Sequence, residues 1–169
     1  IKNLDLMMTC NLKEIGTYIF VIGKTLGHLE QSEFFREILQ VEEGSPPEIN
    51  LFNEKNNGFA VRNLISNKLV NSVHDISSGG IIVALSEMCI SGNIGAKINI
   101  LNNKISTHEY LFAEDQSRYL VEIKENNKDK VSNILKKNSI YFEELGKTQK
   151  EKLDINKNIS VKIEELKKI

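Results

Sequence analysis

The sequence has little cysteine, no excess of charge of either sign and no long hydrophobic run. Its two cysteines, Cys10 and Cys89, lie far apart and in no metal-ligand spacing, so we expect two reduced thiols that act as small buried hydrophobic groups. The 22 basic and 23 acidic side chains nearly balance, which gives no electrostatic reason to expect nucleic acid or an anionic membrane as partner. The apolar runs at residues 18–22 and 80–85 are much shorter than the roughly 20 residues of a membrane-spanning helix. With no secretory signal visible, these absences favour a cytoplasmic globular protein.

The 169 residues suit one domain, and the hydrophobic pattern mixes strands and helices irregularly. Strands are expected at residues 17–23, 70–76, 96–101 and 117–124, with two or three more within 140–163. Helices are expected at residues 32–40, 48–68, 80–91, 107–113 and 129–137. Because some helices lie between strands while the end is rich in strands, we predict an α+β fold. It would be a layered α/β sandwich around a mixed, largely antiparallel sheet.

Two of these helices carry more detailed expectations. Ser32 is expected to cap the first, which would turn Phe35, Ile38 and Leu39 to one face. Pro47 is expected to begin the second, with a break allowed at residues 56–58. The apolar residues of this segment suit a helix, namely Leu51, Phe52, Phe59, Val61, Leu64 and Ile65.

Residues 73–88 have the pattern of an anion-binding turn. A strand leads to Asp75, two serines follow, and Gly79-Gly80 lets the backbone approach a ligand where a helix begins. The unpaired N–H groups and the positive end of the helix dipole favour an anion there. A second reading, about as well supported by spacing alone, makes one of the two serines a helix cap and assigns the glycines to close packing. Asp75 is a candidate for orienting this turn or for binding Mg²⁺ through one oxygen, which would need other ligands or phosphates as well.

A second polar cluster lies within residues 111–123. Glu114, Asp115, Gln116 and Arg118 fall at a helix-to-strand turn, where side chains can converge on a cleft. The composition alone favours a solvated polar turn with a surface Glu–Arg pair, which contributes under about 1 kcal/mol.

The third segment, residues 22–38, contains Gly-Lys-Thr but is not a P-loop. The first glycine of that motif would have to stand where this chain has Tyr18. Gly23 and Gly27 are expected to permit a tight strand-to-helix connection, in which Lys24 could contact a phosphate. His28, in the same loop, is expected to be a surface or packing residue.

No self-sufficient catalytic set is visible. His74 and Asp75 are neighbours, so in an extended strand their side chains are expected on opposite faces and unable to pair. The sequence shows no Ser/His/Asp arrangement, no Cys/His pair and no metal-spaced histidines. The residues therefore predict binding features without a complete set of catalytic residues.

Three segments in this order resemble one known superfamily. They are IGKTLGHLEQSEFFREI (22–38), VHDISSGGIIVALSEM (73–88) and LFAEDQSRYLVEI (111–123). Together they look like the C-terminal domain of the superfamily that includes aminoimidazole ribonucleotide synthetase. Within it they are most similar to the phosphoribosylformylglycinamidine synthase family. Two departures are Ser78, where the family usually has Asp, and Glu30-Gln31, where it usually has Gly-Gly. The alternatives are a related synthetase, selenophosphate or hydrogenase-maturation domain, or a structural or interaction module of the same fold.

The resemblance implies part of an ATP- and Mg²⁺-dependent ligase of purine biosynthesis. Such enzymes amidate formylglycinamide ribonucleotide with ammonia from a glutaminase partner. The resemblance makes residues 1–169 a single C-terminal domain, a fragment of a longer chain that is expected to be inactive without its N-terminal subdomains. No catalytic or metal-binding residue is assigned to it. Substrate or nucleotide contacts are implied at six positions, namely Asp75, Gly79, Gly80, Glu114, Gln116 and Arg118.

Overall fold

Seven strands form one mixed sheet in the order β2-β4-β1-β5-β3-β6-β7. The computed structural model describes residues 4–101, 104–156 and 158–168. The strands are β1 (Tyr18–Ile22), β2 (Ser72–Ile76), β3 (Gly95–Ile98), β4 (Arg118–Ile123), β5 (Phe142–Gln149), β6 (Lys152–Ile155) and β7 (Ile159–Lys162). Neighbouring strands are antiparallel except β3 and β6, which run parallel. This confirms the predicted mixed, largely antiparallel sheet.

Helices cover both faces of the sheet. They are α1 (Leu51–Ser66), α2 (Gly80–Gly92), α3 (Thr107–Phe112), α4 (Lys128–Lys137) and α5 (Ile163–Leu166). A π-helical turn at Phe34–Leu39 and 3₁₀ turns at Leu4–Leu6 and Glu125–Asn127 complete the elements. No helix within the described residues is long and apolar enough to cross a membrane.

Strand β1 shows why the molecule is a sandwich. All five of its residues are buried. Ile19 and Val21 pack into one core with residues of α2 and α3, while Phe20 and Ile22 pack into a second core with residues of α1 and α4. Because alternate side chains of a strand leave opposite faces of the sheet, a strand buried on both sides must be covered by a layer on each side. The predicted layered α+β architecture is therefore confirmed.

Two predictions about α1 are wrong. The helix begins at Leu51 and not at Pro47, because the side chain of Asn50 caps it by accepting the backbone N–H of Asn53 at 3.0 Å. It is also continuous through residues 56–58.

Only some of the apolar residues of α1 are buried. Leu51, Phe52 and Phe59 are exposed, whereas Val61 and Leu64 enter the core. Leu51 and Phe52 lie in the first turn of the helix, where Phe52 lines an open cavity instead of the core.

The segment predicted as a helix at residues 32–40 forms only the π-helical turn Phe34–Leu39, and no residue of that turn is buried. The hydroxyl of Ser32 does accept the backbone N–H of Phe35 at 3.3 Å. The predicted apolar face is wrong, since Ile38 and Leu39 are exposed. A π-helical turn repeats over more residues than an α-helical turn, so the α-helical spacing no longer places these side chains on one face.

We expect the two cysteines to differ in reactivity towards a thiol reagent. Cys89 is fully buried, and burial raises its pKa to about 12, so it stays a neutral thiol at pH 8, whereas Cys10 is half-buried. Because the thiolate is the reacting species, the native chain should consume one equivalent of 5,5′-dithiobis(2-nitrobenzoate), and the denatured chain two. The variant Cys10→Ser should be unreactive until it is denatured. Rapid labelling of native Cys10→Ser would contradict this account of Cys89.

Candidate functional site

Glu114 joins the three segments that carry the resemblance. Its Oε1 accepts the backbone N–H of Glu33 and the backbone N–H of Gly79, each at 2.8 Å. The backbone N–H of Glu114 donates to the carbonyl of His28 at 3.1 Å. Segments that are distant in the sequence are thus held together by one carboxylate.

The Gly79-Gly80 turn sets the start of α2 against the end of α3. Both glycines have left-handed backbone angles, with φ of 77° and 71°. A β carbon on Gly80 would lie 2.6 Å from the carbonyl oxygens of Leu111 and Ala113. Real β carbons essentially never come this close to backbone, so position 80 requires glycine for both its backbone angle and its packing.

A carboxylate of the chain itself binds at the start of α2. Gly79 is the N-cap residue, and no side chain caps the helix there. The reading in which Ser77 or Ser78 caps α2 is therefore wrong, because the Gly79 N–H is bound by Glu114. An anion at the positive end of the helix dipole is favourable, and here Glu114 supplies it.

Asp115, the next residue, also accepts backbone N–H groups of a distant loop. Its carboxylate is 4% exposed and accepts the backbone N–H groups of Leu26 at 2.7 Å and Gly27 at 3.0 Å. It thereby fixes the loop that follows β1. Asp115 was not among the six predicted site residues, although its place beside Glu114 in the same turn was a signal for it.

Arg118 is buried and hydrogen-bonded to the same framework. Its side chain is 1% exposed and donates to the carbonyls of Asp115 at 2.9 Å and Ala113 at 2.5 Å, and to the Thr25 hydroxyl at 3.1 Å. Burial lowers the pKa of Arg118, and the negative charge of Asp115 opposes that shift. The reading of a solvated turn with a surface Glu–Arg pair is wrong, because the guanidinium lies inside and binds backbone carbonyls.

His74 and Asp75 lie closer together than their places in the strand predicted. His74 Nδ1 is 3.6 Å from Asp75 Oδ1 and 2.6 Å from the Asp75 carbonyl oxygen, while its Nε2 is 3.0 Å from Glu87 Oε2. The expectation that the two side chains cannot pair is wrong, since the imidazole folds along the strand end towards the next residue. Asp75 remains largely exposed, with 71% of its side chain accessible.

A cavity of about 660 Å³ lies next to this framework. It is bounded by the loop after β1, the N-terminal half of α1, the turn before β4 and the segment before β5. Of the six predicted site residues, Gln116 alone lines it. Lys24 also lines it, and so do Asn57 and Tyr141, which carried no motif in the sequence.

The ring of Tyr141 has a fixed place in the cavity wall. Its hydroxyl donates to Glu143, which also receives the hydroxyl of the buried Tyr110 at 2.7 Å. The hydrogen bond to Glu143, with burial and the charge of that carboxylate, raises the pKa of Tyr141 to about 12. Lys24 Nζ lies 5.7 Å from the centroid of the Tyr141 ring, within the range of a cation–π contact.

Several solved structures share this fold. The T. maritima PurL complexed with FGAR matches 96% of this chain and 30% of its own length, with a TM-score of 0.79 and 20% sequence identity. E. coli HypE, a hydrogenase maturation protein, matches 92% of this chain and 51% of its own, with a TM-score of 0.64 and 12% identity. At these identities the matches show the fold.

Sequence comparison is more specific. The phosphoribosylformylglycinamidine synthase subunit PurL of Pelagibacter ubique is 49% identical over 98% of this chain, and that of Rhodopseudomonas palustris is 38% identical over 94%. The chain spans 23% and 22% of the lengths of these two relatives. The family model described as AIR synthase related protein, C-terminal domain, matches residues 14–156. This chain is therefore a member of the AIR synthase related protein C-terminal domain family.

Proposed function

We propose that this chain is the C-terminal subdomain of a phosphoribosylformylglycinamidine synthase. The complete enzyme would use ATP to phosphorylate the amide oxygen of formylglycinamide ribonucleotide, and ammonia from a glutaminase partner would displace the phosphate. The observation that carries the proposal is the 49% identity to the Pelagibacter ubique PurL subunit over 98% of this chain. A cytoplasmic location fits this function.

Within that enzyme the chain would supply a framework and a binding wall. Glu114, Asp115 and Arg118 are occupied by hydrogen bonds inside the domain, so we assign them to holding the loops. Gln116 is exposed in the cavity and is the predicted residue best placed to contact a ligand. Gly79 and Gly80 allow the close packing that positions Glu114, and Asp75 stays available at the end of β2.

Mg²⁺ does not fit the described part of this chain alone. Within it no group of three His, Cys, Asp or Glu side chains could hold a metal ion, whereas Mg²⁺ prefers an octahedral set of oxygen ligands. We therefore assign the Mg²⁺ ligands of the complete enzyme to its N-terminal subdomains.

A domain exchange tests the proposal. In the Pelagibacter ubique PurL subunit, the stretch that aligns with this chain is replaced by this chain, and ATP-dependent amidation is measured with ammonium as nitrogen source. We expect the chimaera to retain activity within about tenfold, a barrier change below about 1.4 kcal/mol. The chain alone should show none. A folded but inactive chimaera, or amidation by this chain alone, would refute the proposal.

A further inference from the structure

The cavity beside α1 has a hydrogen-bond acceptor that no described residue uses. Asn57 is 8% exposed, and its Nδ2 donates to the Ser117 carbonyl at 2.9 Å and to the Ser117 hydroxyl at 3.1 Å. These two bonds fix the carboxamide, so Oδ1 is turned away from Ser117 and has no partner among the described residues.

That acceptor is open to the cavity. In the described part of the chain the one side-chain polar atom that is both fully buried and unpartnered is Nδ2 of Asn71. Asn57 Oδ1 is therefore reached by solvent, and Asn57 lines the cavity. A fixed carbonyl oxygen in a nearly buried position selects for an N–H donor and disfavours a carboxylate, which has no hydrogen to donate.

Four other residues of the wall define the rest of the ligand. Phe52 and Tyr141 are 74% and 43% exposed and both line the cavity, so a planar group can stack on their rings. Lys24 makes no ion pair with any described residue, and its ammonium lies beside the Tyr141 ring. An anionic group of the ligand can pair with that ammonium, while the exposed carboxamide of Gln116 offers both a donor and an acceptor.

We propose that this cavity binds a planar heteroaromatic carboxamide that carries a phosphate group. The carboxamide donates to Asn57 Oδ1, the ring stacks against Tyr141 or Phe52, and the phosphate pairs with Lys24. The volume of about 660 Å³ lies within the range of cavities that bind nucleotide-sized molecules, roughly 300 to 1,000 Å³. The inference rests on the cavity and does not depend on the ligase activity.

Isothermal titration of the chain with three matched probes tests the inference. They are 5-aminoimidazole-4-carboxamide ribonucleotide, the corresponding 4-carboxylate ribonucleotide and the phosphate-free carboxamide riboside. We expect the carboxamide ribonucleotide to bind at least about tenfold more tightly than the carboxylate, as loss of a hydrogen bond to a nearly buried acceptor requires. The riboside should bind about fivefold more weakly than the ribonucleotide, as expected for loss of one partly exposed ion pair.

Variants at exposed positions distinguish this site from non-specific binding. Lys24→Gln should weaken binding of the carboxamide ribonucleotide until it equals binding of the riboside. Gln116→Ala should weaken binding of all three probes. Lys55→Gln is the control. Lys55 lies on α1 but does not line the cavity, so this substitution should leave binding of all three probes unchanged. The proposal would be overturned if the carboxamide and carboxylate ribonucleotides bound equally well, or if no probe bound at millimolar concentration. It would also be overturned if Lys24→Gln bound the carboxamide ribonucleotide as tightly as the wild type does.

Discussion

Replacement of Gly80 by valine is expected to lower the free energy of unfolding by about 4 kcal/mol or more, whether or not a ligand is bound. A β carbon at this position meets two backbone carbonyl oxygens at 2.6 Å, and φ is 71°. Neither oxygen belongs to a flexible side chain, so the end of α3 has to move away from α2. Alanine should produce most of the same loss, because the first carbon already causes the clash.

Two other glycines provide matched controls for this effect. Gly16 has a φ of 87° with nothing within 4 Å of its β-carbon position, so Gly16→Ala should cost only the backbone strain, about 1 to 2 kcal/mol. Gly58 lies within α1 with no atom closer than 3.6 Å, so Gly58→Ala should stabilise the chain by about 0.5 to 1 kcal/mol. Urea denaturation of the three alanine variants gives the comparison. If Gly80→Ala and Gly16→Ala lose the same free energy, the close contact with Leu111 and Ala113 is unimportant.

The displacement caused at position 80 should reach the framework around Glu114. Leu111 and Ala113 directly precede that residue, and its Oε1 accepts the N–H of Gly79. A folded Gly80→Ala variant should therefore show faster amide hydrogen exchange at Gly79 and Glu33, which share the carboxylate.

The elements with clear periodicity could be predicted from the sequence. Strand β1 is a short apolar run that ends at Gly23, and α2 follows Gly79 with helical spacing of its apolar residues, so their existence and type depend on local pattern. Their order in the sheet could not be predicted. Residues of β4 pair with both β1 and β2, and such pairings join segments that no local rule relates.

The roles of site residues depended on partners distant in the sequence. Glu114 and Arg118 were identifiable as a polar cluster, but whether they face solvent or the interior depends on segments 22–38 and 73–88 folding against them. Asn57 had no signal at all, because an asparagine in a helix becomes informative only when Ser117 fixes its amide. The start of α1 was misassigned because two prolines were a stronger local signal than the Asn50 cap.

Glu122 was also missed, and it carries the second large effect that we expect. It lies on β4, is fully buried, and accepts four hydrogen bonds. Oε1 receives the Glu14 N–H at 3.1 Å and the Thr17 hydroxyl at 2.8 Å. Oε2 receives the Lys13 N–H at 2.9 Å and the Ser72 hydroxyl at 3.0 Å. The carboxylate thus attaches the segment before β1 to the sheet.

Replacement of Glu122 by leucine should lower the free energy of unfolding by about 4 kcal/mol, because several buried donors lose their acceptor at once. Glutamine keeps the shape but turns an N–H₂ group towards two of the donors, so we expect a smaller loss of about 2 kcal/mol. Glu144→Gln is the control, since Glu144 is exposed and pairs with Lys128 at 2.7 Å; it should cost under about 1 kcal/mol.

Amide hydrogen exchange separates a local from a global effect of these substitutions. The backbone N–H groups of Lys13 and Glu14 donate directly to Glu122, so in folded Glu122→Gln they should exchange faster, while amides of α4 on the other side of the sheet keep their protection. Equal stability of Glu122→Gln and wild type, with unchanged exchange at Lys13 and Glu14, would show that these hydrogen bonds do not hold the segment. The expected result would show that the buried carboxylate of Glu122 holds residues 13–17 against the sheet. Glu114 holds the segments around Glu33 and Gly79 together in the same way.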